Sequence, residues 1–524
     1  MSEMSAVLAT PGEAAPPGTL RPRRAAAAGE ARPATARASA GVRLGWLLQG
    51  WRRRCLPAST ARGFAPMLVV RGVPADASRV SRWESGQLAV PFVVLEGYER
   101  ALGLPAGMLT GIGAAMRRTC PPPAAAVRRA LEPLDHLEGA LETVAFGSPV
   151  GADWLALARL VAQRVDDVAL PWTMWRTVTT RLVGGLGRSV GHAYVTRFEA
   201  ATLLTQHPRA RHALVLGIGE HVTDPDCPLA LDAVAVLQHV PGPQAGDLVV
   251  KLVGHEKPQV RRAAIWAATG KAARCDLDDL QLRRLVPAAR QLVAADLDTH
   301  GHLQSITTDL VRLLPSDVIG RLATEHPGLV GANAPAGVDL SSLLGDLVTS
   351  CADPATGDPV LESLVDEALF AGTDELRHHA ALVLLCSPAR EAVAARCAAA
   401  AERVLAAEVP GPVIHRLLER LTTLLGYVGT EQQRPVLESL VQAGGRVARV
   451  AALVGLSRLE RSDRPGELAL LIRGRDEAVA LAAVHCAGMT GHPDLAPAAA
   501  DTALQQDRRR AAAWWLRTGP ALRD

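Results

Sequence analysis

At 524 residues the chain exceeds what one hydrophobic core can organise, so length alone points to several domains or a repeat array. Its composition, 48% hydrophobic but only 3% aromatic and rich in Ala and Leu, favours helix over sheet. The formal net charge of +3 conceals an uneven distribution: residues 1–130 hold 18 Arg and no Lys against 7 acidic residues, whereas the remainder holds 38 Lys and Arg against 46. A basic first quarter on an acidic remainder points to a polyanion-binding module joined to an interaction platform.

No apolar run reaches the ~18 residues needed to cross a bilayer. Residues 1–40 are rich in Ala, Pro and Arg and lack the apolar segment of a secretory signal, so a disordered arm on a cytoplasmic protein is expected. The eight cysteines, at 55, 120, 227, 275, 351, 386, 397 and 486, lie far apart without a C-x-x-C. They read as small core residues of a reducing compartment, and no metal or other cofactor is expected.

Ordered sequence begins near Gly41. In "VRLGWLLQGWRRR", Leu44, Leu47, Leu48 and Trp51 recur at the spacing of an amphipathic helix. A second short helix is expected within "ARGFAPMLVVRG", with Pro66 tolerable only near its start. A third runs through "ASRVSRWESGQLAVP", and a fourth through "PFVVLEGYERALGL", where Phe92, Leu95, Tyr98 or Glu99, and Leu102 keep the helical spacing. "CPPPAAA", 120–126, reads as a linker. Residues 41–119 thus form a domain large enough to fold alone.

Stepping 100° per residue through 76–85 sorts the third helix into two faces. Ala77, Val80, Trp83 and Glu84 share one side; Ser78, Arg82 and Ser85 share the other, flanked by Arg79 and Ser81. Asp76 can cap its start and Gly86 can end it as a left-handed residue. A short, firmly terminated helix with a thin outer face of hydroxyls and arginine fits a major groove about 12 Å wide.

These residues resemble the helix-turn-helix (HTH) domain of Cro/CI-type regulators, the XRE family. "RVSRWESG" looks like the end of that family's recognition helix, "LGWLLQGWRRR" like its first helix and "VPFVVLEGYERALGL" like the helix that follows. The resemblance implies a core role for Val80 and Trp83, a brace between Arg52 and Glu84, and base-facing positions at Ala77, Ser78 and Arg82. Arg79 matches a position that reaches base or phosphate. The sequence departs from the family between Ala65 and Val80, where the connection to the third helix is a few residues too long.

After a helical connecting layer at 120–194, the chain becomes repetitive. "PQVRRAAIWAATG" (258–270), "DELRHHAALVLLC" (374–386), "GRVARVAALVGLS" (445–457) and "DEAVALAAVHCAG" (476–488) each place a polar turn before an Ala-rich helix. Several follow a Leu-rich helix, and Val447 and Val479 stand 32 residues apart. The pattern resembles HEAT repeats. Small residues let paired helices approach closely, and stacking buries faces that no single pair can bury, so a superhelix over 195–524 is expected.

Enzymatic signals are weak. "GGLGRSVG" (184–191) lacks the spacing of a dinucleotide loop and reads as packing glycines, and "ATGK" (268–271) is an incomplete phosphate loop. His378 and His379 are adjacent on a helix and so point about 100° apart, unable to share a metal; His485 and Cys486 read as core. Trp172, Trp175 and Asp166 resemble the residues of HEAT-like DNA glycosylases, but an acidic solenoid opposes that reading.

The fold expected is therefore all-α, an N-terminal helix-turn-helix bundle followed by a HEAT-like α-solenoid. The function expected is a nucleoid-associated, sequence-specific transcriptional regulator, not an enzyme. It would bind double-stranded DNA as a possible homodimer, and its solenoid would bind a protein, an effector or itself, with no membrane contact. The rival is an interaction scaffold whose HTH no longer touches DNA.

Overall fold

Local capping and apolar spacing start the first five helices. The computed structural model describes residues 39–119, 135–300, 305–326, 358–406, 412–459 and 468–524. The arginine-rich arm through residue 38, the linker prolines, Cys120, Cys351 and much of 300–357 lie outside the described residues. Helices α1 (Ala40–Cys55), α2 (Ala61–Val69), α3 (Ala77–Glu84), α4 (Phe92–Leu102) and α5 (Met108–Thr119) form the N-terminal bundle. The side chains of Ser39, Thr60 and Asp76 cap the first three by accepting from Val42, Gly63 and Arg79 backbone N–H groups. Leu44, Leu47, Leu48, Phe64, Leu68, Val80, Trp83, Leu95 and Tyr98 fill its core.

Pro66 corrects one expectation: it lies inside α2, not at its start. A nine-residue helix loses one internal hydrogen bond there, and the cost is tolerable because Phe64, Ala65 and Leu68 bury the same turn.

The chain then runs through α6 (Asp135–Phe146), α7 (Gly151–Gln163), α8 (Trp172–Leu186), α9 (His192–Leu204), α10 (Pro208–Thr223), α11 (Leu231–Leu237), α12 (Pro243–Val253), α13 (Pro258–Ala273), α14 (Asp279–His300), α15 (Ser305–Arg312) and α16 (Ser316–Glu325). It continues through α17 (Pro359–Phe370), α18 (Asp374–Leu385), α19 (Arg390–Ala406), α20 (Pro412–Val428), α21 (Arg434–Ala443), α22 (Arg446–Ser457), α23 (Ala469–Ile472), α24 (Glu477–Thr490), α25 (Leu495–Ala500) and α26 (Gln506–Thr518). Among the described residues there is no strand, only an isolated parallel bridge between Ser189 and Leu522.

The fold is all-α, a helix-turn-helix bundle followed by a HEAT-like solenoid. Successive helices pair as hairpins, for example α12 with α13, α17 with α18 and α21 with α22. Alternate helices also stack on one another, α9, α11, α13 and α15 in one row and α18, α20, α22, α24 and α26 in another. Alanine makes this possible. Ala263, Ala264, Ala267 and Ala268 on α13, and Ala480, Ala483 and Ala487 on α24, are buried, which lets helix axes approach closely. Trp515 of α26 lies against Gly488, where any side chain would collide with the indole ring.

The second row returns to the first. Residues after α26 return to the α8–α9 turn: Val190 N–H donates to the Leu522 carbonyl (3.1 Å), and Leu522 N–H donates to that of Arg188 (2.8 Å). Arg188 also donates to the Thr518 carbonyl (2.6 Å), and buried Arg197 pairs with Asp524 (3.0 Å). The glycine-rich stretch 184–191 is thus a docking turn for residues 518–524.

Residues 38–524 form one compact unit. Arg43 of α1 pairs with Glu367 of α17; Trp46 Nε1 donates to Asp358 (2.6 Å) and Trp51 Nε1 to the Cys386 carbonyl (2.8 Å). At the end of α5, Arg118 pairs with buried Glu199 of α9 (2.8 Å) and meets His239 (2.9 Å), while Thr119 meets His379 (3.1 Å). The bundle is held to the following helices at α1, α4 and α5, with Arg159 of α7 pairing with Glu96 of α4.

Candidate nucleic-acid interface

The inner side of α3 is set by packing. Val80 is fully buried, Trp83 nearly so, and Glu84 is buried with them. Buried Arg52 of α1 clasps Glu84 through two hydrogen bonds, Nε to Oε1 and Nη2 to Oε2, each 2.7 Å, and also donates to the Ser59 carbonyl. The Tyr98 hydroxyl adds a third donor to Glu84 at 3.1 Å. This hydrogen bonding to Glu84 raises the Arg52 pKa against the opposing effect of burial, and burial with the Glu84 charge raises the Tyr98 phenol well above its ordinary value. The pair is a buried, bidentate brace that fixes α3 against α1 and α4.

Two glycines allow the contact to be that close. Gly86, at φ +73°, ends α3 in the left-handed region, and a β-carbon there would sit 2.7 Å from Val42 N. A β-carbon on Gly45 would sit 2.6 Å from the Glu84 carbonyl oxygen. Gly86 had a signal in the sequence; Gly45 had one only as a small residue on the core side of α1.

The outer side is open. Ser78, Arg79, Ser81, Arg82 and Ser85 are exposed, and Ala77 is half-buried at the first turn. Arg79 Nη1 is partly engaged by the Pro74 carbonyl (3.0 Å), and its guanidinium stands 3.8 Å from Asp76. Ser85 Oγ donates to the Arg82 carbonyl at 3.2 Å. No hydrogen bond or ion pair engages the Arg82 side chain among the described residues. Five polar residues with one unengaged guanidinium form a narrow face able to donate to phosphates and to base edges.

The connection from α2 to α3 occupies Val70 through Asp76, seven residues. It turns at Gly72 (φ +79°) and tucks Val73 into the core, while Val70 stands 84% exposed and Val69 beside it 52%.

Other residues singled out by sequence fall elsewhere. Trp175 is fully buried against His207 (ring centroids 4.6 Å), Trp172 is on the surface beside His212, and Asp166 is exposed, so the three make no shared concave site. His378 and His379 diverge, one to Tyr427 (2.9 Å) and the other to Thr119. Cys486 is buried, whereas His485 is half-buried between Ser457 (3.4 Å) and Trp515. Among the described residues no helix is long and apolar enough to cross a membrane.

No family model and no curated protein matches the chain. Among solved structures, it is similar to a chain described as "Structural Basis of Tubulin Recruitment and Assembly by Microtubule Polymerases with Tumor Overexpressed Gene (TOG) Domain Arrays". The two are 11% identical with a TM-score of 0.23, covering 72% of this chain and all of the other, a likeness that carries no argument for function.

Proposed function

We propose that the chain is a sequence-specific DNA-binding transcriptional regulator of the Cro/CI type, whose helical array binds a protein or effector partner. The observation that supports it is the division of α3: a packing side locked by Arg52 and Glu84, and an exposed side of Ser78, Arg79, Ser81, Arg82 and Ser85. Arg82 is placed to read guanine through its paired donors, the serines allow close approach, and Arg79 supports phosphate contact. One HTH offers few base contacts, so two copies on a two-fold operator complete the reading.

Selection of bound sequences from a random duplex pool by the full-length chain tests this. A defined operator is expected. Arg82→Ala then relaxes preference at particular base pairs, whereas replacing Arg21, Arg23 and Arg24 of the arm flattens the salt dependence without altering preference. Sequence-independent recovery, or none, overturns the reading.

A second reading, an HTH that docks onto protein, is favoured by Val69 and Val70, whose apolar side chains stand in water beside α3. Under that reading Val70→Ser, not Arg82→Ala, abolishes partner binding.

A further inference from the structure

We propose that residues 519–524 are an exchangeable strap: the groove that holds them in this chain also holds the same six residues of a second copy, so that strap exchange joins two copies. The groove is built from the start of α7 and the α8–α9 turn. It supplies a contact between copies that needs no DNA, and it stands independently of the reading of α3.

The strap is built to part from its helix. Gly519 ends α26 at φ +88°, and the chain beyond it is no longer helical. None of the six residues is fully buried, and Pro520 and Arg523 are exposed. The forces that hold the strap are mostly polar. Leu522 forms a single parallel bridge, donating to the Arg188 carbonyl and accepting from Val190. Ala521 N–H donates to the Met489 carbonyl (2.9 Å), Arg188 donates to the Thr518 (2.6 Å) and Pro520 (3.3 Å) carbonyls, and Arg523 donates to the Leu459 carbonyl. Leu522 is the one large apolar anchor of the six, and it is half-buried. A segment with so little apolar burial opens before the helices around it do.

The groove, by contrast, is costly to leave empty. Arg197 of α9 pairs with Asp524 at 3.0 Å, and the two side chains are 4% and 8% exposed. Gly151, the first residue of α7, donates its N–H to the same carboxylate (2.6 Å), and a β-carbon at Gly151 would collide with it. The Arg197 guanidinium also donates to the Ala193 and Pro149 carbonyls (3.2 Å each), which fixes it in place. No other carboxylate pairs with it among the described residues. When the strap leaves, a fixed guanidinium and the positive end of α7 lose their anion. An opened groove therefore favours refilling by an extended segment that carries a carboxylate.

A second copy is the occupant that the groove already fits. Its strap restores every contact that the chain's own strap made, the Leu522 bridge and the Asp524 pair included, so exchange leaves the contact energy unchanged. Six residues reach about 20 Å when extended, enough to cross between two copies that meet at α26. Leu516, three residues before the hinge glycine, stands 52% exposed and gives that meeting an apolar contact.

The experiment mixes two full-length variants in the absence of DNA. Arg197→Met keeps its strap and loses the groove; Leu522→Ser with Asp524→Ala keeps the groove and loses the strap. Sedimentation velocity with a dye on one variant should show a heterodimer in the mixture and monomers of each alone. Wild-type chain should show a dimer fraction that rises with concentration and is absent from the strap variant. Thermal melts identify any variant that fails to fold. A measurement that needs no variant is competition: excess TGPALRD peptide (residues 518–524) should convert wild-type dimer to monomer, and its Asp524→Asn form should need about tenfold more or beyond. A wild type that stays monomeric, a dimer that survives in the folded strap variant, no heterodimer between folded variants, or a wild-type dimer indifferent to the peptide overturns the proposal.

Discussion

The outer face of α3 and the cluster of Tyr194, Asp232, Trp266, Tyr427 and Arg458 around His378 are opposites in how they are built. The first comes from nine consecutive residues, one helix and one turn, with its polar groups turned outward and Arg82 unengaged. The second is assembled from five helices and the residue that caps a sixth, between Tyr194 and Arg458, with its polar groups depressed or raised by burial. A face made by local periodicity keeps its chemistry when neighbours shift; a cluster made from distant helices keeps it only while their packing holds.

The largest expected effect tests the support beneath the outer face. Glu84→Ala leaves the Arg52 guanidinium buried without its carboxylate, which costs about 3–5 kcal/mol. Urea unfolding should show that loss, and DNA binding should fall with it because α3 loses its brace. Replacing both members, Arg52→Met with Glu84→Leu, should recover much of the stability.

Acid tests the buried histidines. His378 is held at about 3 and His485 at about 4, by burial first and by Arg458 second. Both folded values lie below the unfolded ~6.5, so their neutral forms stabilise the fold fully above pH 6.5. That stability drains as pH falls from 6.5 toward 4, by roughly 2–3 kcal/mol for His485. Asp232, raised to about 6, works in the opposite sense: its contribution is present at low pH and lost as pH rises from ~3.9 through 6. Melting across pH 4–8 should therefore show acid destabilisation that is shallower in His485→Gln and steeper in Asp232→Asn. The latter variant should also be the more stable one at pH 8.

A smaller effect separates reading from support. Arg82→Ala should cost about 1–3 kcal/mol of discrimination at the base pair it reads, with no change in melting temperature. Competition between matched operators measures it, and a shifted melt would show that Arg82 also packs. Smallest of all, Val70→Ser should change stability by less than about 0.5 kcal/mol, since the residue is exposed. Its value lies in the contrast: unaltered DNA binding places Val70 outside the interface, and loss of self-association places it within a protein contact.

Much of the outer face was legible because each of its features is local. The 100° step separates Val80 and Trp83 from Ser78 and Arg82, Asp76 and Gly86 mark the ends, and the extra length before α3 appears as a seven-residue turn. The pairing of Arg52 with Glu84 depended on the family resemblance, since nothing local joins residues 32 apart. Gly45 and Tyr98 were less legible: a glycine on a core face and a tyrosine at helical spacing look like ordinary packing until α1 and α4 close on Glu84.

Repeat units such as "DELRHHAALVLLC" and "DEAVALAAVHCAG" determined by themselves that this chain is helical and stacked, because small residues at helical spacing can bury their faces only against neighbouring helices. They also place His378 and His485 each within an alanine-rich helix. What tertiary structure alone decided is that the stack closes. Arg188, Val190 and Arg197 find residues 518–524 across more than three hundred positions, and Tyr194, His378, Tyr427 and Arg458 meet in one cluster from four separate elements. Periodicity carries the orientation of a side chain on its own helix, but the curvature that brings distant helices together is a sum over every interface between them.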